Sequence, residues 1–267
     1  MVSGKSFDLL YDANLEMLKT FPQPTFDELP SYYESSDYIS HTDEGRDLFS
    51  KIYQIVKKWS LQKKTKLIHQ LNGNTGTLLD IGAGTGDFLK FAKKKGWDVY
   101  GMEPNEKAKK LGQTKGLSLE SSLKEFEGKQ FDVVTLWHVL EHIPNLEETI
   151  NQLTNLIRAN GTLIIAVPNY KSFDAKYYGE FWAAYDVPRH LWHFSKKSME
   201  KLFQLNFKLE KIKPMPFDSF YVSLLSEKYK SGKIFSIKAF WIGLISNLKG
   251  IRTKEYSSHI YCFKKAQ

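Results

Sequence analysis

The 267 residues include a single cysteine, Cys262. That excludes an internal disulfide framework and a cysteine-built metal cage. No apolar run approaches the roughly 18 residues needed to span a membrane. The opening stretch carries Asp8, Asp12 and Glu16 and has no apolar core of the signal-peptide kind. Repeats and low-complexity tracts are also missing. With 42% hydrophobic and 25% charged residues, the composition excludes a largely disordered chain. The expectation is a cytoplasmic protein of one large domain with appended segments.

Charge is unevenly placed within the net +8. Residues 1–50 hold ten acids and three bases, whereas 196–267 hold fifteen bases and five acids. Lys51, Lys57, Lys58, Lys63, Lys64 and Lys66 form a basic run with no acid among them. Such a bias suits nucleic acid, an anionic membrane surface or simply a solvated lysine face. The lysines are dispersed and few adjoin an Arg or aromatic able to read a base, which favours the solvated face over nucleic acid.

Along the chain, 1–46 is a polar and aromatic arm in which Pro22, Pro24 and Pro30 break any long helix. The domain proper is expected over 47–267. The spacing of Leu48, Ile52, Ile55, Val56, Trp59 and Ile68 predicts a helix over 47–69 with these residues on its buried face. Strands are expected at 77–81, 98–102, 117–120, 131–137 and 162–167, with helices at 87–95, 106–111 and 146–158 between them. Asn160-Gly161 reads as a turn. Apolar, β-branched strands alternating with helices predict an α/β fold, a mostly parallel Rossmann-like sheet with helices on both faces. A helix over 195–203 and strands at 207–213 and 257–263 complete it, with a helical insertion at 217–250 before the last strand.

The first of these strands feeds Asp80-Ile81-Gly82-Ala83-Gly84-Thr85-Gly86-Asp87 and then a helix. Ligands of open α/β sheets bind beyond the carboxyl ends of the strands. A dinucleotide fingerprint would place glycine at Asp87, and a Walker loop would need Gly-Lys-Ser/Thr. Asp80 would repel a pyrophosphate but suits a cation. Glu103 ends the second strand, where an acid can accept both ribose hydroxyls. A ribose-bearing, phosphate-free, partly cationic ligand describes S-adenosylmethionine.

Three segments carry a family resemblance. Leu78-Leu79-Asp80-Ile81-Gly82-Ala83-Gly84-Thr85-Gly86 resembles motif I of class I S-adenosylmethionine-dependent methyltransferases. Val99-Tyr100-Gly101-Met102-Glu103-Pro104 resembles the segment ending in their ribose-binding acid. Phe131-Asp132-Val133-Val134, followed by Trp137-His138-Val139-Leu140-Glu141-His142-Ile143, resembles their fourth-strand motif. The match spans about residues 75–170 and is nearest the ubiquinone-biosynthesis O-methyltransferase-like, type 11/type 23 branch. It implies a seven-stranded sheet with a reversed last strand. It also implies a donor held by the Gly82, Gly84 and Gly86 backbone with Glu103 on the ribose, and Asp80, Ala83, Pro104, Trp137 and His138 beside them are further candidate donor contacts. Where relatives often place an acid near adenine, this chain has Ser121-Ser122-Leu123, so Ser122 and Leu123 take that place. Tyr38 and His41 in the arm are expected to fold over the donor.

The protein must align donor and acceptor and remove a proton where the acceptor is a hydroxyl or amine. Histidines are the natural bases. His138, Glu141 and His142 share one face if that segment is helical. The face could hold a metal. Relatives, however, carry Glu where His138 stands, and magnesium prefers oxygen ligands. The other reading has His138 lining the donor pocket, and no metal is expected. His190 lies in Asp186-Val187-Pro188-Arg189-His190-Leu191-Trp192-His193, which suits either a substrate lid or a packed loop. The candidate bases are thus His138, His142 and His190. Residues 232–250 cluster Phe235, Phe240, Trp241, Leu244 and Ile245 among lysines, which suits a peripheral membrane contact, a lid for a greasy substrate or ordinary packing.

These readings imply S-adenosylmethionine-dependent methylation of a small or lipid-like acceptor, on oxygen. The alternatives are methylation of nucleic acid or protein, and a non-catalytic donor-binding protein. Against the first, the fourth strand lacks the Asn/Asp-Pro-Pro-aromatic signature of base amino-group methylation, and Cys262 lies outside any Pro-Cys loop.

Overall fold

The computed structural model describes residues 5–25, 27–33, 48–232 and 236–266. The chain starts with a hairpin of β1 (Asp8–Asp12) and β2 (Met17–Phe21). Its turn is closed by Asp12, whose Oδ1 accepts the amides of Asn14 and Leu15, both at 2.9 Å. A long helix, α1 (Leu48–Asn72), leads to β3 (Thr77–Ile81), α2 (Asp87–Lys93), β4 (Asp98–Met102), α3 (Glu106–Thr114) and a two-residue β5 (Leu119–Glu120). Then follow β6 (Phe131–Trp137), α4 (Leu146–Leu156), β7 (Ile157–Pro168) and α5 (Phe173–Tyr178). A short β8 (Trp192–His193), α6 (Lys196–Phe203) and β9 (Phe207–Pro214) precede a helical hairpin of α7 (Pro216–Ser231) and α8 (Ile237–Thr253). The last strand is β10 (Ser258–Lys265).

Seven strands form one sheet in the order β5-β4-β3-β6-β7-β10-β9. From β5 to β7 every pairing is parallel, and β10 runs antiparallel to both neighbours. The expected α/β architecture, reversed last strand and helical insertion are therefore present. The buried strands β3, β6 and β7 are near-continuous apolar runs because helices cover both faces. One side packs Leu79, Val134, Leu136 and Leu163 against α4 and α6 residues such as Leu153 and Phe203. The other packs Leu78, Val133 and Ile164 against Leu67 and Ile68 of α1 and Phe88 and Leu89 of α2.

Four expectations need correction. Among the described side chains of α1, the buried ones lie in its second half. Ile55 and Trp59, expected inward, are 68% and 41% exposed, whereas Leu67 and Ile68 pack on the sheet. Helix α4 stops at Leu156 rather than at Arg158, since Ile157 already pairs with Phe131 of β6. Asn160-Gly161 is consequently a bulge within β7, marked by the positive φ of Asn160 and a register shift, and not a turn before the strand. Finally, the arm contains the β1-β2 hairpin, which pairs with β8 through Leu18↔His193 and Lys19↔Trp192. Met17 and Thr20 are buried in that second, three-stranded sheet.

Candidate functional site

The glycine loop follows β3, and Gly82, Gly84 and Gly86 all have positive φ. At Gly82 a Cβ would lie 2.4 Å from Val139 Cγ2, so no larger residue fits under the segment after β6. Gly84 has nothing within 4 Å of its Cβ position, so the loop is open there. The amide of Ala83 donates to the carbonyl of Met102 at 2.9 Å, which ties the loop to the end of β4.

Glu103 stands at that end and is 7% exposed. Its Oε2 accepts the amide of Gly84 at 2.7 Å and its Oε1 that of Asn105 at 2.9 Å. Burial raises its pKa, and these two amides oppose the rise. Pro104 is exposed beside it. Ser122 and Leu123 follow β5; Ser122 caps a short turn and Leu123 packs on the core.

Asp80 is buried and accepts Thr135 Oγ1 at 2.6 Å. Burial pushes its pKa up to about 7, opposed by Thr135 and the Lys64 ammonium. Lys64 is the functional candidate that sequence reasoning placed on a solvated face. From α1 it reaches over the Trp137 ring, with Nζ 4.3 Å from the centroid, and burial pushes its pKa down to about 8. The apolar spacing of threes and fours in 47–69 marks this helix as packing on the sheet but does not single out Lys64 from the other lysines. Trp137 carries a buried indole Nε1 without a hydrogen-bond partner among the described residues. An orphaned donor and an open glycine loop beside two acids fit a ligand with polar acceptors and a cationic end.

The segment after β6 is not an α-helix, so the condition for one shared face is not met. His138 is left-handed at φ 57°, and only Leu140–His142 forms a single 3₁₀ turn. His138 Nδ1 lies 3.3 Å from Glu141 Oε1, and Nε2 lies 3.2 Å from Asp218 Oδ2 at the start of α7. Burial disfavours its charge, but Asp218 and Glu141 outweigh that and push the pKa up to about 10, making it an imidazolium at neutral pH. The Glu141 carboxylate is shut off from solvent and, among the described residues, has the His138 ion pair but no hydrogen bond; its pKa falls despite burial because of His138.

His142 turns the other way. Its Nδ1 is 2.9 Å from the Tyr33 hydroxyl and 3.1 Å from the Arg189 carbonyl, and its ring meets that of His190 edge-on at 4.5 Å. Burial, then the neighbouring His190, push its pKa down to about 4. His190 Nδ1 lies 2.9 Å from the carbonyl oxygen of Ala184. The loop carrying it is fastened in place: Leu191 N donates to the Glu141 carbonyl at 2.8 Å and Trp192 Nε1 to that of Ile143 at 2.7 Å. Of the anticipated bases, His142 and His190 are therefore together, while His138 belongs to a separate ion-paired group. Among the described residues, Glu141, His142 and His190 offer ligand atoms within 4.8 Å of one another, a set different from the one spacing suggested. Tyr38 and His41 lie outside the described residues.

Comparison with known proteins decides the family. The methyltransferase domain profile matches residues 47–211. The chain belongs to this family. Its domain is an S-adenosylmethionine-dependent methyltransferase domain. Among its relatives, a ubiquinone biosynthesis O-methyltransferase of Azoarcus sp. (strain BH72) is 28% identical over 151 residues, covering 48% of this chain and 64% of that protein. An uncharacterized methyltransferase of Alkaliphilus oremlandii is 30% identical over 108 residues, covering 38% and 50%. The chain thus spans less than two thirds of the length of these relatives. Magnesium protoporphyrin IX methyltransferase from Synechocystis PCC 6803, solved with SAH bound, shares the fold at a TM-score of 0.60 and 15% identity over 91% of this chain and all of that one. So does the Burkholderia thailandensis 1,6-didemethyltoxoflavin-N1-methyltransferase with S-adenosylhomocysteine bound, at 0.56 and 16% over 97% and 100%.

Proposed function

We propose that the protein transfers a methyl group from S-adenosylmethionine to an oxygen of a small or lipid-like acceptor. The observation that carries this reading is the Glu103 carboxylate, held by the Gly84 and Asn105 amides at the open end of the sheet. Each of its oxygens keeps a lone pair for a ribose hydroxyl. Gly82, Ala83, Gly84 and Gly86 would let the donor lie against backbone, with Pro104, Ser122 and Leu123 toward its base. Asp80 would face its cationic end, and the unpartnered Trp137 Nε1 would find an acceptor. The donor supplies an electrophilic methyl on a sulfonium. The chain's own work is then alignment and proton removal.

His138 is unsuited to accept a proton, because both ring nitrogens already face carboxylates. It serves instead to hold the start of α7 against the end of β6. His142 is neutral, and its Nε2 has no hydrogen-bond partner among the described residues. It is the favoured base, with His190 beside it. Oxygen as the acceptor atom is supported by this base and by the names of the O-methyltransferase relatives. A divalent metal does not fit this reading. The cluster has one carboxylate, and that carboxylate already faces the His138 cation.

Incubation with methyl-labelled donor and a metabolite and lipid extract, followed by mass spectrometry, tests the proposal. A labelled methyl ether or ester is expected. A protein that binds donor yet labels nothing, or labels only nitrogen, would overturn it.

A further inference from the structure

Helix α8 is turned inside out relative to an ordinary surface helix. Its buried residues are Ala239, Ile242, Gly243, Ser246 and Gly250, four of them small. Its large apolar residues Ile237, Phe240, Trp241, Leu248 and Ile251 are all more than half exposed. At 100° per residue these five fall within a stripe about 100° wide, opposite the small face. The small face permits the tight crossing with α7, where a Cβ on Gly243 would lie 2.8 Å from Phe220.

Helix α7 repeats the pattern. Ser219, Ser223 and Ser226 are buried, while Phe217 and Tyr221 project outward. The Phe217 ring also meets Trp59 of α1 edge-on at 5.0 Å, so the apolar surface continues onto the exposed half of α1. A contiguous apolar face of this kind marks an interaction site.

The charges around it are mostly positive. Residues 216–254 contain seven bases and two acids. Both acids are spent on contacts of their own: Asp218 faces His138, and the buried Glu227 pairs with Lys238 at 3.1 Å. Lys249 and Arg252 follow one border of the α8 stripe, beside the Lys238 held by Glu227, and Lys228 shares the outward side of α7. Aromatic and branched apolar side chains flanked by lysines match the interface of an anionic bilayer. Among the described residues no helix is long and apolar enough to cross a membrane, so the contact would lie in its surface.

We propose that the outer face of the α7-α8 hairpin, continued by Trp59, docks the protein on an anionic lipid surface. The proposal does not depend on the acceptor's identity or on the assignment of a base. It places the methyltransferase domain where an apolar acceptor would be found.

Co-sedimentation with phosphatidylcholine vesicles, with and without phosphatidylglycerol, tests it. The wild-type chain is expected to pellet with the anionic vesicles and to be released by salt. The double variant Phe240→Ser, Trp241→Ser should bind them about tenfold less or weaker still, with S-adenosylhomocysteine affinity and circular dichroism unchanged. If that variant unfolds, Leu248→Glu with Ile251→Glu reads the same face. Failure of the wild type to bind anionic vesicles overturns the proposal, as does undiminished binding by a folded variant. A wild-type dimer that the variant converts to monomer also overturns it, because a second copy then covers the face. Donor affinity measured in parallel separates any of these results from a failure of the methyltransferase reading.

Discussion

His138 Nε2 lies 3.2 Å from Asp218 Oδ2, which joins the residue after β6 to the first turn of α7. Because this contact raises the folded-state pKa of His138 to about 10, its stabilisation is fully present below the unfolded value of about 6.5 and is lost as pH rises through 10. Asp218→Asn should lower the His138 pKa, read by proton NMR titration. The side chains are 37% and 22% exposed, so we expect a stability loss of about 1 kcal/mol at neutral pH, read in thermal melts. A His138 pKa unaltered by the substitution would contradict the pairing.

Glu103→Ala should weaken donor binding. Charged hydrogen bonds contribute roughly 1.5–3 kcal/mol each, so losing the two to the ribose should weaken affinity by about 100-fold or more. Calorimetry with S-adenosylhomocysteine measures it, and unchanged affinity would remove Glu103 from the ribose site.

Donor affinity should rise with pH. Asp80 has a pKa pushed up to about 7, and a cationic ligand binds its ionised form. The ionised fraction is small at pH 6 and large at pH 8, so affinity for S-adenosylmethionine should increase about tenfold between them. Asp80→Asn should flatten the profile. A flat wild-type profile would place the donor's charge away from Asp80.

His142→Ala should lower turnover by about 10²-fold to 10⁴-fold with donor affinity kept. Chelator should leave wild-type turnover intact, because Glu141 already faces a fixed cation at 3.3 Å. Turnover abolished by chelator and restored by magnesium would show that a metal acts there.

The parts of the fold read correctly from sequence rest on neighbouring residues. Strands at 77–81, 98–102 and 131–137 match to the residue because short β-branched runs end in glycine or a polar turn. The glycine loop and Glu103 were legible for the same reason, since a strand end and the turn after it are coded within a few positions. The β1-β2 hairpin was not. Its burial comes from pairing with Trp192–His193, far along the chain, and nothing in 8–21 announces that partner.

The sequence alone determined the parallel sheet and the place of the glycine loop and of Glu103, because periodicity and turn chemistry are local, while the reversed last strand was legible only through the family resemblance. Tertiary structure decided which charges meet. Lys64 shares its pattern with five other lysines of the basic run, and only the laying of α1 across the sheet brings it over Trp137 and near Asp80. His138 and His142 are four residues apart, yet the first is held charged by Asp218 and Glu141 while the second is kept neutral against His190. The protonation of a side chain depends on the solvent and charge around it in space, and spacing along the chain carries no record of that.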